Sequence, residues 1–241
     1  HTNLFAQSRH ERELFNGNSQ MSALVLFDFD GTIADTAPDL GAAANKQRER
    51  VGLPPLPLDV LRPYASAGAR GLLRCALNLA PGDDTYEQHR LQFLADYQAA
   101  MTVDTRLFDG VPELLAQISE RGLSWGIVTN KVTHLAQPIV TALGLDKECA
   151  VLVCGDTTAH AKPHPLPLLH AAQQAGYSTD RCLYVGDDIR DIQAARAAGM
   201  PSIAAAYGYC GPDHPVETWQ ANHTAHSARE MWPMIKQLMN V

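Results

Sequence analysis

Asp28-Phe29-Asp30-Gly31-Thr32 follows directly on the apolar run Ala23-Leu24-Val25-Leu26-Phe27, and this stretch decides the fold. The run is short, rich in β-formers and broken by a glycine, so it reads as a buried strand. It delivers two carboxylates, two residues apart, to its C-terminal end, where open α/β sheets bind their ligands. One carboxylate can attack phosphorus while the other handles a proton, and together they offer hard oxygens to Mg²⁺.

Downstream of Thr32 the pattern turns helical. Pro38 suits a first turn, and Leu40, Ala43, Ala44, Gln47 and Val51 follow before Gly52 and the break Pro54-Pro55-Leu56-Pro57. From Leu58 to Asp104 only helical spacing recurs, as in Leu72, Leu73, Ala76 and Leu77, then Leu91, Leu94, Ala95 and Gln98. A block of helices inserted after the first strand is expected to form a lid over a substrate.

Alternation resumes beyond the insert. Strands are expected at Ser124–Val128, Val151–Cys154, Cys182–Val185 and Ser202–Ala206, separated by helical stretches. Such alternation implies right-handed βαβ units around a mainly parallel sheet. The expected fold class is therefore α/β, a Rossmann-like parallel sheet core with an inserted α-helical cap. Residues 1–20 read as a polar N-terminal extension, 21–35 and 106–241 as the core, and 36–105 as the cap.

The chain has 241 residues, enough for one sizeable core with a small insert. A net charge of −7 with no Lys/Arg run argues against a nucleic-acid partner. No apolar run is long enough to span a membrane and no signal peptide is evident, so the expected compartment is cytoplasmic. The five scattered cysteines, Cys75, Cys149, Cys154, Cys182 and Cys210, fit free thiols in a reducing compartment. His160/His164 and His223/His226 lack an acidic or Cys partner at ligand spacing, so they read as loop or surface histidines.

Polar residues recur at the ends of three expected strands: Asp28/Asp30, Thr129/Asn130 and Asp187/Asp191, with Lys162 in a loop nearby. Taken singly, each has a plain reading as acidic turn, strand-end hydroxyl, helix cap or solvated lysine. In a parallel sheet they share one edge. A phosphate needs hydroxyl and amide donors, a cation, and a metal to neutralise developing charge, which Thr129, Lys162 and Mg²⁺ on carboxylates would supply. Asp187 and Asp191, four apart at a helix start, are expected on one face of it.

In that order, Asp28-Phe29-Asp30-Gly31-Thr32, Val128-Thr129-Asn130, Lys162-Pro163 and Gly186-Asp187-Asp188 with Asp191 resemble the four motifs of the haloacid dehalogenase (HAD) superfamily. The helical insert resembles its C1-type cap. The resemblance implies a phosphatase with Asp28 as nucleophile, forming an aspartyl-phosphate, and Asp30 as acid and then base. It implies Thr129 and Asn130 as substrate-binding, Lys162 pairing with nucleophile and phosphate, and Mg²⁺ on Asp28, the Asp30 carbonyl and Asp187. Asp191 would either orient this set from behind or reach the metal through a water.

Thr129-Asn130-Lys131, Tyr184-Val185-Gly186-Asp187 and Tyr207-Gly208-Tyr209 resemble the phosphoglycolate phosphatase branch. Ser66-Ala67-Gly68-Ala69-Arg70 and Gly186-Asp187-Asp188-Ile189-Arg190-Asp191 are also similar to N-acetylmuramic acid 6-phosphate phosphatases. Both substrates carry a carboxylate, and Arg70 is the expected residue to read it. A sugar-phosphate mutase shares the Asp pair. A dehalogenase would not need Asp30, and a phosphonate hydrolase would place a lysine in the cap, where 58–104 has none. A binding module without catalysis would not need a nucleophile with its own acid.

Overall fold

The computed structural model describes residues 22–241; the expected extension 1–20 lies outside the described residues. The quoted apolar run forms strand β1 (Leu24–Phe27), every residue of it buried. Its alternation splits cleanly, with Val25 and Phe27 packing into the hydrophobic layer on one face and Leu24 and Leu26 into the layer on the other. A strand apolar on both sides demands cover on both, which a parallel sheet wrapped by helices provides.

The further strands are β2 (Ala34–Asp35), β3 (Arg106–Leu107), β4 (Ser124–Val128), β5 (Leu152–Val153), β6 (Cys182–Gly186), β7 (Ser202–Ala205) and β8 (His223–Ala225). Six of them form one sheet in the order β5-β4-β1-β6-β7-β8, with every pairing parallel. Strand β1 lies between β4 and β6, with Phe27 level with Ile127 on one side and with Val185 on the other. The residues that follow these three strands therefore emerge together at one sheet edge.

Strands β2 and β3 form a separate antiparallel ribbon, Ala34 opposite Leu107 and Asp35 opposite Arg106. The cap hangs from it as the helices Ala37–Arg50, Leu58–Leu61, Gly68–Leu77 and Tyr86–Ala100, with a 3₁₀ turn at Arg62–Ala67. Leu40, Leu61, Leu72, Leu73 and Phe93 are buried within it, each such side chain worth roughly 1.5–3 kcal/mol. The buried Asp39 carboxylate ties the outgoing helix to the returning chain by accepting from the Asp104 and Thr105 N–H groups and the Thr105 hydroxyl.

The expected strands are present within a residue or two at their ends. The edge strand β8, the ribbon and the C-terminal helix Met231–Met239 are additions. Among the described residues no helix is long and apolar enough to cross a membrane. All five cysteines are free thiols.

Candidate active site

Asp28 leaves β1 with its N–H donated to the Val185 carbonyl at 2.8 Å, so the sheet ladder still holds its backbone. The Phe29 N–H and Lys162 Nζ both bond Asp28 Oδ1, at 2.7 and 2.9 Å. Asp28 Oδ2 accepts no hydrogen bond from the described residues. Burial, with Asp191 nearby, pushes the Asp28 carboxyl well above the usual range, and Lys162 opposes the shift.

Lys162 is buried, and its Nζ reaches Asp191 Oδ1 at 2.8 Å, the Tyr184 hydroxyl at 2.7 Å and the Val128 carbonyl at 2.9 Å as well as Asp28. Burial works against its charge, yet Asp191 and Asp28 together hold its pKa above the ordinary lysine value. Asn130, expected to bind substrate, lines the cavity but spends its amide elsewhere. Its Nδ2 donates to the Lys162 carbonyl and its Oδ1 accepts the Lys162 N–H, both at 2.9 Å. Asn130 is thus a brace that fixes Lys162. Thr129 is buried at the end of β4, its hydroxyl accepting the Lys131 N–H.

Asp187 follows β6 with no exposed surface. Its Oδ1 accepts the Thr32 hydroxyl at 2.8 Å and its Oδ2 accepts the Tyr209 N–H at 2.8 Å and the Ser66 hydroxyl at 3.3 Å. Gly31, at φ +85, and Gly208 leave no room for a Cβ, which would strike the Asp187 carboxylate. The expectation that Asp187 and Asp191 share a helix face is corrected here. The helix Ile189–Ala197 starts after Asp187, and it is Asp188 that caps it, in a capping box with Asp191. Asp191 Oδ1 takes Lys162 and Oδ2 takes the Asp188 N–H, so it sits behind the site and steers Lys162.

Oxygens of Asp28, Asp187 and Asp191 lie within 4.8 Å of one another, all buried. Three carboxylates with one lysine leave an excess of negative charge. Burial and the Asp191 charge accordingly push the Asp187 carboxyl up to about 7. An all-oxygen donor set short of positive charge is what a hard divalent cation satisfies. By contrast His160 and His164 are exposed and stack on each other, their ring centroids 4.4 Å apart.

Asp30 turns toward the cap. Its Oδ1 accepts the Thr36 hydroxyl and Lys131 Nζ, each at 2.6 Å, and Lys131 Nζ also donates to the hydroxyl of Tyr97, a cap residue, at 2.9 Å. The cap is drawn down at Ser66 as well, whose carbonyl accepts from Arg190 at 3.0 Å. Between cap and core these groups enclose a cavity of about 210 Å³, lined by Asp28, Asp30, Thr129, Lys131, Lys162 and Arg190 among others. Arg70 does not line it. Exposed on the helix Gly68–Leu77, it faces a neighbouring groove of about 660 Å³ shared with Arg74 and the 210–214 loop.

Thr32, Ser66, Tyr97, Lys131, Tyr184, Arg190 and Tyr209 are the contributors that sequence reasoning assigned no role. Several lie inside the motif segments quoted above, but only the three-dimensional contacts bring them to the site.

An aspartate pair at a parallel strand end, a buried lysine, a strand-end hydroxyl and a closing helical cap form the decisive combination. The profile of the haloacid dehalogenase-like hydrolases matches residues 25–205. The chain belongs to this family. It is 47% identical over 210 residues to a phosphoglycolate phosphatase of Xanthomonas campestris pv. campestris, covering 86% of this chain and 94% of the relative. It is 42% identical over 207 residues to an N-acetylmuramic acid 6-phosphate phosphatase of Pseudomonas aeruginosa, covering 86% and 92%. The crystal structure of a predicted phosphoglycolate phosphatase from Haemophilus somnus 129pt superposes with a TM-score of 0.79 at 27% identity, over 90% of this chain and 99% of that one. The protein is a phosphatase, a phosphoric monoester hydrolase whose substrate is a small phosphorylated molecule.

Proposed function

We propose that this phosphatase is magnesium-dependent, works through an aspartyl-phosphate on Asp28, and acts on a small carboxylated phosphomonoester, 2-phosphoglycolate foremost. The observation that carries the reading is Asp28 itself, one oxygen fixed by Lys162 and the Phe29 N–H and the other uncommitted at the cavity floor. Asp28 and Asp187, with the Asp30 carbonyl, would hold the Mg²⁺, which when bound neutralises charge on the phosphoryl oxygens and on Asp28.

The residues then divide the work. Asp28 Oδ2 attacks phosphorus while Lys162 and the Thr129 hydroxyl bind the phosphoryl oxygens. Asp30 gives its proton to the departing alkoxide. It next takes one from the water that attacks the aspartyl-phosphate, which restores Asp28 and releases inorganic phosphate. The cap, residues 36–105, closes over these steps, and Tyr97 and Ser66 are its points of contact with the core.

A cavity of about 210 Å³ falls below the roughly 300–1,000 Å³ typical of drug-sized ligand sites, which favours a two-carbon phosphoacid over a sugar. The second reading, N-acetylmuramic acid 6-phosphate, draws support from the 42% identical relative and from the outer groove, which meets the cavity at Ser66, Ala67, Asp188 and Arg190. The acidic net charge sets nucleic acid aside as a partner, and the five free thiols suit the cytoplasm.

The test is phosphate release from 2-phosphoglycolate, N-acetylmuramic acid 6-phosphate and p-nitrophenyl phosphate with Mg²⁺ and with EDTA. Asp28→Asn, nearly isosteric, is expected to abolish release while retaining the wild-type circular dichroism spectrum. Full activity in that variant sinks the mechanism, and isomer formation from a hexose phosphate without inorganic phosphate would make the protein a mutase.

A further inference from the structure

The catalytic cavity is lined by three cations, Lys131, Lys162 and Arg190. Lys162 is committed to Asp28 and Asp191, and Lys131 to Asp30 and Tyr97. Arg190 is held differently. Its Nε donates to Asp188 Oδ1 at 2.7 Å, and its Nη2 to Asp188 Oδ2 and to the Ser66 carbonyl, both at 3.0 Å. Its Nη1 donates to no described residue. Two edges of the guanidinium are fixed, one by the core and one by the cap, and the third keeps its donors.

A held guanidinium is better suited to anion recognition than a free one, because its rotamer entropy is already lost. The side chain is 29% exposed, so an incoming ligand would desolvate it further. Asp188 keeps the group balanced in charge while the cavity is empty and occupies the Nε edge, so a ligand carboxylate would meet Nη1 rather than the full fork.

We infer that Arg190 binds the carboxylate of the substrate, at the end remote from the phosphoryl group, and thereby sets selectivity for phosphorylated acids. The inference rests on the reading above that the substrate is a carboxylated phosphomonoester. Arg70, exposed in the outer groove, takes no part. Since the Ser66 carbonyl is one of the two anchors of Arg190, the cap must be down for the guanidinium to be held in place.

The experiment compares kcat/KM for 2-phosphoglycolate with that for 2-hydroxyethyl phosphate, which ends in a neutral hydroxyl, in wild type, Arg190→Gln, Arg190→Lys and Arg70→Gln. Wild type is expected to prefer the acid. Arg190→Gln should cut that preference by about 10- to 100-fold, the usual worth of one hydrogen bond to a charged group, with the loss mainly in KM. Arg190→Lys, which keeps the charge without the fork, should recover part of it, and Arg70→Gln should keep the wild-type ratio. If Arg190→Gln lowers both substrates in proportion, or the ratio falls in Arg70→Gln instead, the assignment is overturned while the substrate class stands. If wild type itself shows no preference for the acid, the substrate class fails and Arg190 has no carboxylate to read. Should Arg190→Gln not fold, the Lys variant carries the same comparison, and an unchanged ratio there together with a changed one in Arg70→Gln overturns the assignment.

Discussion

Asp30 shows how much one carboxylate's surroundings say about its role. Its Oδ1 is held by Thr36 and Lys131, and its Oδ2 accepts nothing from the described residues. In the proposed mechanism Asp30 is the general acid, and such a group typically contributes 10²–10⁴-fold, roughly 3–5 kcal/mol. Asp30→Asn is therefore expected to slow alkyl phosphates by about that factor in single-turnover phosphorylation and aryl phosphates far less, since a phenolate leaves without a proton. Equal losses for both leaving groups would mean that Asp30 serves mainly to order the site. Asp187 yields a prediction on stability. Its carboxyl is pushed up to about 7 from 3.8 by burial and by Asp191. Between these values the native state holds a proton that the unfolded chain releases, so in EDTA stability falls as pH rises from about 4 to 7, by at most about 4 kcal/mol from this group. Asp28 shifts in the same direction, whereas the lowered Asp96 and Asp188 act only below about pH 4. Urea unfolding in EDTA at pH 5 and pH 7 checks the sign, and greater stability at pH 7 would contradict it.

At the scale of elements, three strand ends and two loops build the site, and the loop after β7 is the least obvious of them. Tyr207, Gly208 and Tyr209 reach back to the first motif. The Tyr207 hydroxyl donates to the Thr32 carbonyl at 2.6 Å, and the Tyr209 hydroxyl accepts the Thr36 and Ala37 N–H groups at 2.8 and 2.9 Å. A Cβ at Gly208 would strike the Gly31 carbonyl and Asp187. Gly208→Ala is expected to cost about 1–3 kcal/mol, as overpacking does, and to weaken Mg²⁺ binding at least tenfold, roughly 1.4 kcal/mol, in calorimetric titration. Unchanged metal affinity would show that the loop tolerates displacement. The strand ends carrying Asp28, Thr129 and Asp187 were legible because β1 and β6 are buried throughout and β4 from Trp125 on, and burial on both faces leaves such runs little other choice. Strand β8 was not, because His223-Thr224-Ala225 is short, polar and at the sheet edge, where neighbours rather than propensity decide pairing. The sequence did not show which groove Arg70 would line. Gly68 and Ala69 line the cavity, whereas Arg70 lines only the outer groove. Arg190 stood in plain view, but its use depends on where the helix Ile189–Ala197 begins, which the capping box of Asp188 and Asp191 settles.

For the whole molecule, the buried acidic cluster is a liability that a cation removes. Ligands that bind only the native state add RT ln(1 + [L]/Kd), about 2.7 kcal/mol at a hundredfold excess over Kd. Mg²⁺ is therefore expected to raise the melting temperature, the more so at pH 7.5 than at pH 5.5, where protons compete for Asp187. EDTA should reverse the gain, and a melting temperature indifferent to Mg²⁺ at both pH values would remove the cluster as a metal site. The ribbon of β2 and β3 carries a different consequence. Ala34 and Asp35 pair directly with Leu107 and Arg106, so the chain departs for the cap and returns from it only about 5 Å apart, the spacing of paired strands. Any insert whose own ends meet at that spacing can be spliced there without shifting the register of the six-stranded sheet. The catalytic half of the molecule is thus a socket, and the cap can be exchanged at one cut point while the phosphoryl chemistry beneath, and Arg190 on its core helix, are left as they stand.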